Sequence, residues 1–457
     1  MSFALLSSLI AVADARTLAA ADRANGELGK KVVERIDMIT KTLGFSGTVL
    51  VAKDNELVAV LARGMANVEA ELNNEHETLF EIASCTKPFT AIAVLQLIEK
   101  GRLSLDDSIA SLLPNVPDHC KAITVRHLLQ HTSGIPGTNT SGRGTRIEDV
   151  VPSFLDGGPK QEPGKHHQYW NQGYALLSEI VARRCGMSYT DAIKQNIFKP
   201  AGMNSSCFTG DEVDADASVA IGTGNQAPRS ALDHPYGSYG FQYRGMGGLV
   251  TNVLDLWKFH KALLGGQLLQ SESMDEMWKP GPGDYGLGWQ TRTAPDGELY
   301  FAHGGSVRGF VSNIACYPSV DGAIFVLSNT NDSLALFAVR LQLESLLFDR
   351  EFNGTLPQPA PDSWGEHLAG GYRDAKNRKL TIDDGAGLLR IDINWFGPVT
   401  SGYIGLDDDG DPMLFLPLVK KTGLTFVEDG KLSFGSTSSK NKRVTLEGLD
   451  RPLEFRR

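Results

Sequence analysis

The chain has 457 residues, of which 41% are hydrophobic and 21% are charged, and its formal net charge is −10. This composition is typical of a folded globular protein and excludes disorder as the main state. The acidic balance argues against a nucleic-acid partner and against an anionic membrane surface, since both require a basic face. The length suggests two or three domains of roughly 150 residues each.

The chain opens on an apolar run over residues 3–15 that ends in Ala-Asp-Ala. An A-x-A ending is typical of a secretory signal peptide, but no Lys or Arg precedes the run. The alternative is an apolar helix that packs on the body of the protein. The compartment stays open: periplasmic or secreted if residues 1–15 act as a signal, otherwise cytoplasmic. No other stretch approaches the roughly 18 apolar residues of a transmembrane helix.

An amphipathic segment over residues 29–45 precedes a predicted β-hairpin over residues 46–64. Two runs rich in Val, Leu and Ala flank Asp54 and Asn55, a pair that suits the positive φ of a tight turn. Residues 89–100 are apolar on nearly every face and end at a glycine. They predict a helix that is buried all round.

Two further helices are predicted over residues 123–130 and 173–186, and strands over residues 299–305 and 312–329. The helices are bracketed by strands from the two ends of the segment. This arrangement indicates an α/β sandwich with an antiparallel sheet.

A polar, Pro-rich stretch over residues 351–362 predicts a linker. Beyond it, short alternating runs joined by Asp-Gly turns predict a small all-β unit over residues 363–457, a meander that closes into a barrel or half-barrel. Inside that unit, residues 407–411 lack the carboxylate spacing of a calcium loop, which favours a solvated turn. The remaining predicted domains are an N-terminal segment over residues 1–30 and a main domain over residues 31–350.

The cysteines are odd in number, widely spaced and without a CxxC pair, which favours free buried thiols over a disulfide framework or a zinc site. They are Cys85, Cys120, Cys185, Cys207 and Cys316. Four histidines are also grouped along the chain, but neither an HExxH motif nor a Cys/His pairing accompanies them. These are His127, His131, His166 and His167. We expect no metal ion and no cofactor.

The sequence S-C-T-K-P at residues 84–88 opens the predicted buried helix. Residues three apart on a helix share a face, so Ser84 and Lys87 can meet. Proline is tolerated only in the first turn, which places Ser84 near the helix N-terminus, where free N–H groups favour negative charge. A buried lysine has a lowered pKa and can accept a proton. The pattern alone is weak, because Ser439 and Lys442 repeat it among polar residues.

Two further motifs follow in order. Tyr169 and Asn171 form a Tyr-x-Asn triplet before a helix, and His303, Gly304 and Gly305 follow a short apolar strand. Each has a structural alternative: a half-buried aromatic ring for Tyr169, a helix N-cap for Asn171 and a packed side chain for His303. As an ordered set the three motifs favour a functional role.

Ser-x-x-Lys, Tyr-x-Asn and His-x-Gly in this order resemble the serine β-lactamase and penicillin-binding-protein superfamily, and most of all its branch of class C β-lactamases, D-aminopeptidases and esterases. Segments such as ITVRHLLQHTSGIPG and HGGSVRGFVSN match that branch, over about residues 30–350. The resemblance implies an α+β fold: an antiparallel sheet flanked by helices, plus an all-helical subdomain. It makes residues 131–134 a structural turn. Residues 363–457 resemble the lipocalin-like barrels appended to some members.

The resemblance also implies roles for the motif residues. Ser84 is the acylated nucleophile. Lys87 and Tyr169 share the proton transfers from Ser84 and to the leaving group, and which of them is the base is left open. Asn171 hydrogen-bonds Lys87 and the carbonyl side of the substrate.

The third motif departs from the Lys-Thr-Gly usual in lactamases and transpeptidases of the superfamily. The backbone N–H groups of Ser84 and Ser306 are implied to form the oxyanion hole, and Gly304 and Gly305 leave the strand edge bare for a substrate. His303 is mostly neutral at neutral pH and Gly304 has no hydroxyl, so carboxylate recognition is expected to be weaker. We therefore expect a peptidase or esterase acting on a small molecule or short peptide, with weak or no β-lactamase activity.

Other functions stay open. One is a β-lactamase or penicillin-binding sensor that is acylated at Ser84 and turns over slowly; another is a catalytically inactive scaffold, which the intact motif set disfavours. The C-terminal unit either shapes or occludes the cleft, mediates self-association into a homo-oligomer, or is a passive accessory.

Overall fold

A computed structural model of the chain describes residues 22–137, 146–223, 228–235, 242–293, 297–330 and 333–350, together with the strand residues between 370 and 456. The described residues divide into two compact units. The first contains the residues before 30, then 46–293 and 297–330. The second contains residues 30–45, residues 333–350 and the C-terminal strands.

The strands of the first unit lie in the region of the predicted main domain, except for β1, which precedes it. In chain order they are β1 (Arg23–Ala24), β2 (Gly47–Lys53), β3 (Glu56–Arg63), β4 (Met65–Asn67), β5 (Leu72–Asn73), β6 (Phe80–Glu81), β7 (Cys207–Phe208), β8 (Ile221–Gly222), β9 (Arg229–Ser230), β10 (Leu249–Thr251), β11 (Gln290–Thr293), β12 (Leu299–Val307), β13 (Phe310–Tyr317) and β14 (Gly322–Ser328).

The helices of the described chain are α1 (Gly26–Leu43), α2 (Lys87–Glu99), α3 (Val125–Leu129), α4 (Ile147–Phe154), α5 (Asn171–Cys185), α6 (Tyr189–Ile193), α7 (Lys199–Ala201), α8 (Val253–Leu264), α9 (Ser271–Trp278) and α10 (Ser333–Leu347). Helices α2 to α7 follow one another without an intervening strand in the part of the chain that the structure describes. Among these helices none is long and apolar enough to cross a bilayer.

A seven-stranded antiparallel sheet forms the first unit, in the order β1-β3-β2-β14-β13-β12-β11. A second, three-stranded sheet has the order β6-β10-β7 and leads into α2. The large antiparallel sheet with helices is the mixed α/β architecture that the sequence predicts.

The predicted hairpin is confirmed as β2 and β3. Asp54 and Asn55 have φ of 53° and 58°, and Lys53 pairs with Glu56 across the turn. The predicted buried helix is confirmed as α2, which begins at Lys87, two residues earlier than expected. It starts there because Pro88 fits the first turn, where its missing N–H leaves no helical hydrogen bond unmade.

Helix α2 is buried on all sides, from Lys87 to Leu97. Its ring Phe89 stacks on Phe259 of α8, with centroids 4.2 Å apart. The five cysteines are free thiols, as expected, and only Cys185 among them is half-buried while the others are buried.

Among its described residues, the second unit contains ten C-terminal strands: β15 (Gly370–Asp374), β16 (Lys379–Gly385), β17 (Leu388–Ile393), β18 (Ser401–Leu406), β19 (Pro412–Phe415), β20 (Pro417–Lys420), β21 (Gly423–Phe426), β22 (Leu432–Phe434), β23 (Arg443–Leu446) and β24 (Leu453–Arg456). Eight form an antiparallel sheet in the order β19-β18-β17-β16-β15-β24-β23-β22, and β20 pairs with β21. In the same unit Arg35 of α1 donates a hydrogen bond to Gln342 of α10 at 3.1 Å.

The predicted all-β character of the C-terminal unit agrees with these strands, whereas barrel closure and the lipocalin-like likeness stay predictions. The predicted domain boundaries likewise stay predictions. The apolar run 3–15, the linker 351–362 and the acidic turn 407–411 lie outside the described residues.

Candidate active site

Ser84 lies in a short 3₁₀ turn, Ala83–Thr86, between β6 and α2. Residues 78–97 are all described by the structure, and each of them is buried except Ser84, which is half-buried. The preceding residue, Ala83, has a φ of 46°, in the left-handed region that non-glycine residues avoid. Holding it there costs about 1–3 kcal/mol, and such strain concentrates at functional positions. The backbone therefore presents Ser84 outward from an otherwise buried segment.

Hydrogen bonds tie this turn to the large sheet. Ser312 of β13 donates from Oγ to the Ile82 carbonyl at 2.8 Å, and the Cys85 thiol donates to the His303 carbonyl of β12 at 3.1 Å. A Cβ built on Gly305 would lie 2.2 Å from the Ile82 carbonyl oxygen. Glycine at residue 305 is therefore required for the close approach of β12 to the turn.

Lys87 lies one turn after Ser84 and is completely buried. Its Nζ is 3.0 Å from Ser84 Oγ and donates a hydrogen bond to the Met246 carbonyl at 3.0 Å. Burial lowers the pKa of Lys87 well below its ordinary value of 10.5, because no water solvates the ammonium form. This shift favours the neutral amine, whose lone pair can accept the Ser84 proton.

Tyr169 completes the group around the nucleophile. Its side chain hydrogen-bonds to Ser84, and its ring centroid lies 4.9 Å from Lys87 Nζ. Burial raises the pKa of Tyr169 above its usual value, so the phenol keeps its proton at neutral pH. An amine that can accept a proton and a phenol that can donate one both contact the same hydroxyl.

Asn171 begins α5, and Trp170 occupies the N-cap position. The N-cap interpretation of Asn171 therefore differs from the structure by one residue. The side chain of Asn171 is half-buried, two residues after Tyr169. Its predicted hydrogen bond to Lys87 stays a prediction.

His303 is buried in β12 with 2% of its surface exposed. Its Nδ1 lies 2.7 Å from the Gly304 carbonyl, which can only accept, so Nδ1 carries the proton. Nε2 then accepts a hydrogen bond from the Tyr285 hydroxyl at 2.8 Å. Burial, with a smaller contribution from nearby Lys87, lowers the pKa of His303 to about 3. The ring is neutral, and both of its nitrogens have partners within the protein.

The end of β12 presents an open edge. Strand β11 pairs with β12 only as far as Ala302, so within the described sheet the register leaves the segment after it without a β11 partner. Gly304 and Ser306 are exposed along this segment. A Cβ built on Gly304 would meet nothing nearer than 3.9 Å. The two motif glycines therefore differ: close packing requires Gly305, whereas Gly304 borders open space.

Several residues near the site have no motif in the sequence. Glu81, three residues before Ser84, is buried and accepts hydrogen bonds from Tyr243 at 2.6 Å and from Arg229. Burial raises the pKa of Glu81, and the Arg229 charge opposes that rise. In the sequence, the burial of Glu81 is indicated only by its place between the apolar residues Phe80 and Ile82. Met246, by contrast, contributes only a carbonyl, which no residue type reveals.

The clustered histidines differ in their surroundings. His127 accepts a hydrogen bond from the Thr124 N–H at the start of α3, whereas His131 lies in the aromatic group beside Tyr169. No group of three or more His, Cys, Asp or Glu able to hold a metal ion occurs among the described residues.

Comparisons with known proteins agree with this geometry. A model of the beta-lactamase family matches residues 36–347. The penicillin-binding protein PbpX of Bacillus subtilis is 30% identical over 315 residues, which are 69% of this chain and 78% of the relative.

Two solved structures cover similar or larger shares of the chain. The octameric penicillin-binding protein homologue of Pyrococcus abyssi is 24% identical with a TM-score of 0.63, over 94% of this chain and 99% of that one. The D-amino acid amidase of Ochrobactrum anthropi is 22% identical with a TM-score of 0.59, over 71% of this chain and 98% of that one. At these identities the likeness shows the fold alone.

Proposed function

The chain belongs to the beta-lactamase family, and from that premise we propose that this serine hydrolase cleaves an ester or amide bond through a covalent acyl-enzyme on Ser84. The observation that carries the proposal is the 3.0 Å contact between Ser84 Oγ and the buried amine of Lys87. A hydroxyl becomes nucleophilic when a base within hydrogen-bond reach can remove its proton.

In the proposed acylation step, Ser84 Oγ attacks the carbonyl carbon while Lys87 accepts the hydroxyl proton. The ammonium that forms is stabilised by the Met246 carbonyl and by the faces of the Tyr169 and Tyr174 rings, 4.9 and 5.5 Å from Nζ. Tyr169 donates its proton to the leaving group as the scissile bond breaks and recovers a proton from Lys87. Both residues then have their starting protonation.

Deacylation reverses these transfers. Water attacks the acyl carbon and loses its proton to Lys87. Lys87 returns that proton to Ser84 Oγ as the acyl bond breaks, so the product leaves as a carboxylic acid and Ser84 is again a hydroxyl. We propose that the backbone N–H groups of Ser84 and Ser306 stabilise the oxyanion in both steps. The exposed position of Ser306 on the open edge of β12 and the location of Ser84 in the 3₁₀ turn that leads into α2 support this assignment.

We propose acyl groups that carry no carboxylate, presented as esters, amides or short peptides, as the substrate class. His303 is neutral, its ring nitrogens are engaged by Gly304 and Tyr285, and Gly304 adds no hydroxyl. The third motif thus offers neither the cation nor the hydroxyl that a β-lactam carboxylate would bind. The structural likeness to a D-amino acid amidase fits amides as one branch of this class.

Turnover on a substrate panel tests this proposal. The turnover rates of p-nitrophenyl acetate, D- and L-amino-acid amides and nitrocefin are measured with the wild-type protein and with the Ser84→Ala variant. We expect the wild-type protein, but not the variant, to turn over esters or amides. Nitrocefin turnover should be slower than turnover of the best ester or amide by about two orders of magnitude or more, which corresponds to the loss of one hydrogen bond to a charged group. Fast nitrocefin turnover would sink the substrate assignment, and stoichiometric acylation without turnover would favour the sensor function.

We also propose that the chain self-associates and that residues 363–457 fold as a separate barrel after a linker at 351–362. The octameric homologue, which spans 94% of this chain in the structural match, supports self-association. Light scattering should give a mass that is a multiple of the 49.5 kDa chain. A monomer mass would contradict self-association. Limited proteolysis should cut first within the linker, and first cuts inside the hydrolase domain would contradict the separate barrel.

A further inference from the structure

Tyr169 is held without the help of a helix or a sheet. Residues 167–170 have neither helical nor strand structure, and α5 begins only at Asn171. A phenol that must contact Ser84 at hydrogen-bond distance nevertheless needs a fixed backbone, because misplacement by about 1 Å can cost a factor of about 100 in rate. Other contacts must therefore fix this segment.

His131 supplies those contacts on both sides of Tyr169. The His131 carbonyl accepts a hydrogen bond from the Gln168 N–H at 2.8 Å. Its ring Nδ1 accepts another from the Trp170 N–H at 3.0 Å. Its ring lies against the Tyr169 ring, with centroids 4.1 Å apart. One residue thus engages the backbone before Tyr169, the backbone after it and the side chain itself.

His131 is itself firmly placed. It has a φ of 55° and 2% exposure, and it opens the turn at residues 131–134. The carbonyls of Thr132 and Gly134 accept hydrogen bonds from the N–H groups of Gly164 and Lys160, both at 2.7 Å. The turn therefore anchors the whole loop that leads to Tyr169.

The ring of His131 is suited to accept a hydrogen bond permanently. Burial, assisted by the neighbouring Lys87, lowers the pKa of His131 well below 6.5, so the imidazole stays neutral. A neutral ring with Nδ1 as acceptor carries its proton on Nε2.

We propose that His131 is a positioning residue for catalysis, which holds the Tyr169 hydroxyl against Ser84 through the backbone on either side of it and through ring contact. This inference rests on the proposed role of Tyr169 in proton transfer. It assigns to the turn at residues 131–134 a function in the reaction beyond its structural one.

Two substitutions separate the contacts of His131. His131→Asn keeps an acceptor for the Trp170 N–H and tolerates the left-handed φ, but removes the ring. His131→Phe keeps a ring of similar size and removes the acceptor. Thr132→Val is the matched control, because the buried Thr132 hydroxyl has no hydrogen-bond partner.

The experiment is a double-mutant cycle with Tyr169→Phe, in which the acylation rate with an acetyl p-nitrophenyl ester is measured in both backgrounds. With Tyr169 present, we expect each His131 variant to lose about 10- to 100-fold in rate and Thr132→Val to change it less than about twofold. In the Tyr169→Phe background, the His131 variants should cause less than about twofold further loss.

Equal losses in the two backgrounds, or no loss in either, would overturn the positioning role. Thermal unfolding midpoints show which variants are folded, and His131→Asn keeps the test decisive if His131→Phe does not fold. Fluorophosphonate labelling of every variant distinguishes the two levels of failure. If Ser84 is labelled but the rate losses in the cycle are additive, only the role of His131 is overturned. If the wild-type protein is labelled at a residue other than Ser84, the proposed function is overturned as well.

Discussion

The 3₁₀ turn that carries Ser84, together with Lys87 at the start of α2, is joined by a hydrogen bond to the strand β12 that carries His303, yet the two regions differ in chemistry. In the turn, a buried amine lies 3.0 Å from a half-buried hydroxyl and is available to accept its proton. In the strand, a buried imidazole has both nitrogens engaged within the protein. Family membership covers both regions, but of the two only the first places a proton acceptor beside a half-buried hydroxyl. The strand offers an open edge instead.

Replacing Lys87 with methionine should have the largest effect. Met fills a similar volume but cannot accept the Ser84 proton, so we expect kcat/KM on esters to fall by about 10²–10⁴-fold. Stability should stay equal or rise, because an apolar side chain replaces a buried polar one. Stopped-flow acylation and urea unfolding measure the two effects. Lys100→Met, at the exposed residue that directly follows the same helix, is the control.

The two motif glycines test how the strand supports the turn. Gly305→Ala places a methyl group 2.2 Å from the Ile82 carbonyl, so the turn or the strand must move, at about 1–3 kcal/mol of unfolding free energy. Activity should fall together with stability, because a shift of the Ile82 carbonyl displaces Ser84, which lies two residues later. Gly304→Ala, one residue away, should change stability by less than about 0.5 kcal/mol. Similar unfolding curves for the two variants would contradict the described packing.

The acid dependence of stability reports on His303. Its pKa is lowered from 6.5 to about 3 in the folded protein, so between these values the unfolded chain binds a proton that the folded protein does not. Stability therefore falls as pH falls through this window, by about 1.4 kcal/mol per pH unit for this group. His303→Gln should reduce the slope of unfolding free energy between pH 6 and pH 4 by about that amount. An unchanged slope would mean that the ring is protonated in the folded state.

The smallest effect is expected from restoring a hydroxyl to the third motif. Gly304→Thr places a side chain into open space and recreates the polar group of Lys-Thr-Gly. One added hydrogen bond should raise acylation by nitrocefin about 2- to 10-fold with little change on neutral esters. Gly304→Val, of the same shape without the hydroxyl, is the control. Equal gains from both variants would assign the effect to shape.

The elements that carry the site could be predicted because their signals are local. The proline after Lys87 places Ser84 at a helix start, and the apolar run after it indicates burial. The Asp54-Asn55 pair likewise specifies a hairpin within a few residues. What escaped prediction depends on distant parts of the chain: the Met246 carbonyl reaches Lys87 across 159 positions. Identical residues cannot reveal that Gly305 is packed and Gly304 is not.

His131 shows the same limit at close range. Its place in a turn was predicted, but its ring contact with Tyr169, 38 positions later, required the loop at residues 160–168 to fold back on that turn. Helix α2 begins two residues before the predicted start, because the apolar pattern does not report the buried Lys87. Hydropathy alone assigns a charged residue such as lysine to the surface, even where the folded protein buries it.

The central claim, an acyl-enzyme on Ser84, is tested most directly by mass spectrometry of the intact protein quenched with acid during turnover of a slow ester. The chain should gain the mass of one acyl group, the modified peptide should contain Ser84, and Ser84→Ala protein should gain none. An unmodified chain during steady turnover, or an adduct that persists in the Ser84→Ala protein, would contradict the claim.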